Sequence, residues 1–314
     1  MDKCSRIYVS GHSGMVGGAV VESLKENGYI NIILRRHQEL DLKDKAQVDD
    51  FMKEERPEYV FLFAAKVGGI KANISYPSAF LYDNLMIASN LISASYQFKV
   101  RKLLYLGSSC IYPRKCSQPM REECLLTGKL EPTNEGYALA KIVGLKLCEY
   151  FNKEFSTNFI SLMPPNLYGP RDNFDLDSSH VIAGLIRKFL EAKNGNVSAV
   201  EVWGTGEARR EFLYIEDLAD ACMYFMNNFD AKDLPAFLNI GSGGDISIKE
   251  LASLIKDKVG YLGKIKWNTS MPDGMPQKFL DMTLAKKFGW RAETLLEEGL
   301  KKTIDWYVKH RRDS

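Results

Sequence analysis

Near its N-terminus the chain reads "RIYVSGHSGMVGGAVVESLKENG", an apolar strand that breaks into a glycine turn and continues as a helix. Gly11, Gly14 and Gly17 give the spacing GxxGxxG. Glycine tolerates the tight turn and lets the backbone approach a ligand closely, while the first turn of the helix offers unpaired amide donors to an anion. Few architectures accommodate this arrangement. It belongs to a strand–helix–strand unit of a parallel sheet, in the order that dinucleotide-binding folds use. A glycine triplet alone is weak evidence; here the apolar strand before it and the helix after it, stopped by Gly28, give it weight.

The rest of the first half keeps that alternation. "NIILR", "YVFLFAA" and "KLLYLG" are predicted strands, and "KAQVDDFMKEERP" and "FLYDNLMIASNLISASYQF" have helical spacing between them. The pattern predicts an α/β fold with a doubly wound parallel sheet of the Rossmann type and right-handed crossovers. From about Pro164 the pattern loosens into loops rich in Asn, Gly, Asp and Pro. We therefore expect a dinucleotide-binding domain at 1–164 and a smaller α/β substrate domain at 165–314, with "FLNIGSG" near 236–242 returning to the first sheet. A chain of 314 residues can bury cores of that size.

Charge and cysteine content narrow the function classes. The net charge is +2 with acids and bases interspersed, which gives no electrostatic footprint for nucleic acid. No apolar run is long enough to span a membrane, and "MDKC" leads straight into the first strand without a leader pattern. Six cysteines at irregular spacing, with no CxxC, argue against a zinc site or a disulfide frame. The expectation is a cytoplasmic protein with reduced thiols and no metal.

After the second strand an NAD site commonly carries an acidic residue for the ribose 2′-hydroxyl. This chain reads "LRRHQELD" instead. Arg35 and Arg36 offer charge-assisted donors to a 2′-phosphate, so the cofactor expected is NADP(H); the plainer alternative is two arginines solvating a loop. Further on, "NEGYALAKI" puts Tyr137 and Lys141 four apart on one face of a predicted helix. A lysine ammonium near a phenol lowers the phenol's pKa, and Ser108, just past "KLLYLG", can hold a substrate oxygen against Tyr137. Proton donor, orienting hydroxyl and cation beside a nicotinamide describe a carbonyl reductase site.

"AAKVGGI", "LGSSCIYP", "EPTNEGYALAK", "NLYGPRDNF", "SSHVI", "WGTGEARREFL" and "PDGMPQKFLD" extend the pattern. With them the chain resembles, over nearly its whole length, the extended short-chain dehydrogenase/reductase family and its GDP-L-fucose synthase branch. Members of that branch epimerise C3 and C5 of GDP-4-keto-6-deoxymannose and then reduce C4 with NADPH. By that resemblance Ser108, Tyr137 and Lys141 look like the reductase triad, Cys110 like the epimerising base and His180 like its acid. The chemistry fits those residue types. The C4 ketone acidifies the protons on C3 and C5, inversion needs groups on both ring faces, and a thiol becomes a base once cations stabilise its thiolate. A histidine can return the proton near neutral pH. An isolated cysteine is ordinarily packing, and Cys4, Cys116, Cys124, Cys148 and Cys222 are read that way.

The resemblance also implies contact sets. For NADP(H) they are Gly11, Ser13, Gly14, Met15, Val16 and Gly17 at the turn, and Arg35, Arg36, Asp41 and Leu42 after the second strand. Ala64, Ala65, Leu106 and Gly107 follow at later strand ends, then Tyr137, Lys141, Pro164, Asn166, Leu167 and His180. For a GDP-sugar they are Ser108, Ser109, Cys110, Asn166, Lys188, Trp203, Arg210, Asp273 and Lys278, which supply the cations and the aromatic face that a diphosphate and a guanine require. A homodimer is implied through the helices containing Asn84–Ser95 and Tyr137–Tyr150. Four positions depart from the branch: Ser13 stands for an arginine, Gln277 for a basic residue, and Pro165 and Gly136 replace other residues. Because these flank cofactor and sugar, C4 reduction of a GDP-4-keto-6-deoxy-heptose, with or without epimerisation, stays open beside the hexose reading. A dinucleotide-binding regulator is the rival from another class; the intact Ser108, Tyr137 and Lys141 argue against it.

Overall fold

The apolar runs of the first half become parallel strands because helices cover both of their faces, so side chains of either parity are buried. The computed structural model describes residues 1–310 apart from 177 and 272. The first half comprises β1 (Ile7–Ser10), α1 (Met15–Glu26), β2 (Ile32–Ile33), α2 (Lys45–Glu55), β3 (Tyr59–Leu62), α3 (Ile70–Ser75), α4 (Pro77–Gln97), β4 (Lys102–Leu106), α5 (Glu135–Phe155) and β5 (Phe159–Met163). Then come β6 (Asn166–Tyr168), α6 (Val181–Asn194), β7 (Ala199–Trp203), β8 (Arg209–Tyr214), α7 (Ile215–Asn228) and β9 (Leu238–Asn239). The chain continues with β10 (Asp245–Ser247), α8 (Ile248–Val259), β11 (Lys264–Asn268), β12 (Gln277–Lys278), α9 (Thr283–Lys287) and α10 (Leu296–His310).

The main sheet has the order β2-β1-β3-β4-β5-β9, all pairs parallel, so the doubly wound expectation is borne out. Strand order reverses at β1, which leaves a crevice at the carboxyl ends of β1 and β3, where ligands of such sheets bind. The buried Ser10 closes the floor of that crevice. Its hydroxyl donates to the Phe61 carbonyl (3.2 Å) and accepts from the Phe63 and Ala64 amides (3.0 and 3.1 Å), tying the two strand ends together. The "NIILR" strand shrinks to two residues because it lies on the sheet edge and the chain turns away beyond it.

Gly17 is required by close approach: a Cβ there would lie 2.2 Å from the Gly11 carbonyl oxygen. Gly11 itself has φ +69°, a left-handed conformation suited to glycine. In the second half, β8 is the organising strand, paired with β6, β10 and β12, while β7 and β11 form a separate pair. The 236–242 segment supplies β9, which pairs with β5. Its Asn239 is fully buried, accepting from Tyr112 (2.6 Å) and donating to the Met120 carbonyl (3.0 Å). Among the described residues no helix is long and apolar enough to cross a membrane.

Candidate active site

A cleft of about 460 Å³ opens at the crevice where strand order reverses. Its floor is the glycine turn, from Gly11 through Ser13, Gly14, Met15, Val16 and Gly17; one wall is Ala64, Ala65, Leu106 and Gly107 at the strand ends. Pro164, Asn166 and Leu167 line it as well, as do Ser108, Tyr137, Lys141 and His180. Most of the contact set expected from the resemblance is thus brought together. Arg35, Arg36, Asp41, Leu42, Ser109, Cys110, Lys188, Trp203, Arg210, Asp273 and Lys278 lie outside that lining.

The cleft has the chemistry of a dinucleotide holder. The N-terminus of α1 faces it with Gly14, extended, at the cap and no side chain on its amides. Asn73 Oδ1 and Asp172 Oδ2, both from residues of the cleft wall, are buried without a hydrogen-bond partner among the described residues. They await donors such as ribose hydroxyls or amide N–H groups. Burial pushes the Asp172 carboxyl up to about 7. Neither residue stood out in the sequence as a site residue, although "NLYGPRDNF" contains Asp172.

The two arginines part company. Arg35 is paired with Glu55, and its Nη1 donates to the Leu34 carbonyl (2.9 Å), so its guanidinium is committed within the fold. Arg36 is exposed, with no ion pair among the described residues, and its charge reaches His12 of the glycine turn. Arg36→Ala should therefore cut the preference for NADPH over NADH about 10-fold, comparable to losing one charge-assisted contact. Arg35→Ala should act through stability instead. Dissociation constants for both cofactors, with thermal unfolding, check this; equal preference in Arg36→Ala and the unaltered protein would refute it.

Tyr137 and Lys141 project from successive turns of α5. The Lys141 ammonium donates to the Leu106 carbonyl (2.8 Å) and sits 5.6 Å from the centre of the Tyr137 ring. The ring meets Phe80 edge-on at 6.3 Å. The sequence suggests a phenol whose pKa falls beside a lysine; the structure gives the opposite direction, because burial raises it, with Cys110 adding to the effect. Tyr137 is therefore a protonated phenol at neutral pH. Burial brings Lys141 down to about 8. Ser108 caps the short turn Ser109–Ile111, its Oγ accepting from the Cys110 amide (3.4 Å).

Cys110, in that short turn, is 5 % exposed. Burial raises its thiol pKa, while the charge of Lys278, the Ser108 hydroxyl and the charge of Lys141 pull the other way without reversing the direction. His180 caps the start of α6 with its side chain free of capping. Crowding by its surroundings, then the charge of Lys278, lowers its pKa, so it is neutral at pH 7. Lys278 on β12 stands across from Arg210 on β8. The Arg210 guanidinium donates to the Asp273 carbonyl (3.1 Å), and the Asp273 carboxylate accepts from Thr205 at 2.8 Å through both oxygens. Trp203 ends β7 and is half exposed; Lys188 donates to the Glu201 carbonyl (3.2 Å). Asn166 donates to the Glu211 carbonyl (3.0 Å) from the cleft wall.

The sequence profile of the NAD dependent epimerase/dehydratase family matches residues 7–241. The chain belongs to that family. The likeness to GDP-L-fucose synthases expected from the motifs is borne out: the Arabidopsis thaliana protein "GDP-L-fucose synthase 1" is 48% identical over 309 residues, covering 98% of this chain and 95% of that one. Among solved structures, a GDP-6-OMe-4-keto-L-xylo-heptose reductase from C. jejuni superposes with TM-score 0.96 at 39% identity, covering 99% of both chains. A GDP-mannoheptose C4 reductase from Campylobacter jejuni with NADP bound superposes with TM-score 0.92 at 40% identity, covering 98% of this chain and 99% of that one. Family members thus divide between hexose and heptose chemistry, the division that the sequence departures left open.

Proposed function

We propose that this protein is an NADPH-dependent epimerase/reductase of a GDP-4-keto-6-deoxy sugar, turning GDP-4-keto-6-deoxy-D-mannose into GDP-L-fucose. The observation that carries the reading is that Ser108, Tyr137, Lys141 and His180 line one cleft with the glycine turn, and that the Cys110 amide donates to Ser108 Oγ. Bound NADPH supplies the hydride for C4. Ser108 and Tyr137 hold the C4 oxygen and stabilise the negative charge that forms there when a neighbouring ring proton leaves. The Cys110 thiolate, a fraction that burial keeps small, takes that proton and becomes the thiol. His180, neutral at pH 7, delivers one to the opposite face after protonation from solvent, and both groups reset through solvent. Tyr137, kept protonated by burial, then gives its proton to O4, and the Lys141 charge offsets the anion left on the phenol.

The second reading, C4 reduction of a GDP-4-keto-6-deoxy-heptose, is favoured by the likeness to the heptose reductases. One experiment separates them: NMR product analysis in heavy water with GDP-4-keto-6-deoxymannose and a heptose analogue. The hexose reading expects L-fucose stereochemistry with deuterium at C3 and C5 and one NADPH consumed per product. Turnover of the heptose alone would replace it. The proposal includes a cytoplasmic homodimer through α4 and α5, supported by exposed Tyr82, Leu139, Val143 and Tyr150 on those helices and by cysteines that remain free thiols.

A further inference from the structure

Glu211 follows Arg210 on β8 and is completely buried, yet it pairs with no cation among the described residues. Its carboxylate instead gathers backbone from two other segments. One oxygen, Oε2, accepts from the Leu280 amide (2.9 Å), two residues beyond Lys278. The other, Oε1, accepts from the Gly243 amide (2.9 Å) and the Ser242 hydroxyl (3.4 Å). The backbone is shaped to admit the group, since a Cβ on Gly241 would lie 2.3 Å from Oε1.

This matters because β12 is only two residues long and pairs with β8 at Gln277↔Arg209 and Lys278↔Arg210 alone. The Leu280–Glu211 bond extends that pairing past the end of the ladder. Lys278 is in turn the cation with the largest influence on Cys110 and the charge acting on His180.

We infer that Glu211 is a positioning residue for the proposed reaction: it pins the end of β12 to β8 and so keeps the Lys278 ammonium within electrostatic range of Cys110 and His180. The inference rests on the epimerase/reductase reading for its consequence, and on the hydrogen bonds alone for its geometry. Burial pushes the Glu211 carboxyl up to about 7, while the donors from Leu280, Gly243 and Ser242 favour its ionised form. That form accepts at both oxygens, whereas an amide of the same shape turns one of them into a donor facing another donor. Glu211→Gln therefore breaks the clamp without changing side-chain volume. Gly241→Ala is a second perturbation that keeps the charge and displaces the carboxylate.

The test compares the unaltered protein with Glu211→Gln, Gly241→Ala, Lys278→Met and the double variant Glu211→Gln/Lys278→Met, using GDP-4-keto-6-deoxymannose in heavy water. Deuterium uptake at C3 and C5 should fall at least about 10-fold in Glu211→Gln, as expected for loss of a hydrogen bond to a charged group. NADPH affinity should stay within about two-fold, because the clamp lies away from the glycine turn. Uptake in the double variant should be no lower than in Lys278→Met, since both changes act through one ammonium. Unaltered uptake in a folded Glu211→Gln, or losses that multiply in the double variant, would overturn the inference. If Glu211→Gln does not fold, Gly241→Ala is judged by the same criteria. An unaltered protein that consumes NADPH without deuterium uptake overturns the epimerase reading instead. Glu211 is then judged on the ketosugar KM, which should rise at least about 10-fold without adding to the effect of Lys278→Met.

Discussion

Tyr137→Phe should slow hydride transfer to the ketosugar by at least about 100-fold and leave NADPH binding intact. The substitution removes a hydroxyl that burial keeps protonated. Lys141 still donates to the Leu106 carbonyl, and the packing against Phe80 involves only the ring, so the cleft keeps its shape. Stopped-flow oxidation of NADPH gives the rate, and cofactor fluorescence gives the affinity. A variant with normal oxidation would show that Ser108 or a water delivers the proton.

Cys110→Ser should abolish deuterium uptake at C3 and C5 while C4 reduction survives, so the product becomes an unepimerised 6-deoxy sugar. A hydroxyl is too weak an acid to supply the anion that a thiol can. The buried thiol sits above its ordinary pKa, so uptake in the unaltered protein should also climb as pH is raised from neutral, with the thiolate fraction. His180→Gln should behave differently. Exchange persists because a proton can still leave, but inversion fails because none returns from the opposite face. One NMR series over the three proteins decides. Full inversion in Cys110→Ser would assign the base elsewhere.

The glycine turn, the strand–helix alternation and the YxxxK helix were legible because each is a local pattern with a physical cause: a backbone conformation, a buried face, a helical spacing. Gly17 is the clearest case, since the need for no side chain is written at one position. The fate of Arg35 was not legible. Its partner Glu55 is twenty residues away on α2, and nothing in "LRRHQELD" says which arginine turns inward. The pKa at Tyr137 moves against the sequence expectation, and that at Cys110 moves against its neighbouring cations, for a related reason. Adjacent cations can be read from a sequence, but depth of burial depends on packing from the whole chain, and here burial outweighs the cations. Glu211 was hidden because its two shortest bonds come from backbone amides, which carry no residue signature.

The two residues of β9 set a condition on how the molecule comes to be. They close the edge of β5, yet they lie more than seventy residues after it in the chain. A nascent chain that has emerged only as far as Pro164 therefore holds a sheet whose last strand is unpaired, and Tyr112 has no Asn239 to bond. Such open edges template mispairing with neighbouring chains. The first half must wait for the second before its own sheet is complete, which makes this a protein of non-local, slow assembly. Cutting it at the apparent boundary should leave an aggregation-prone fragment in place of an independent cofactor-binding unit.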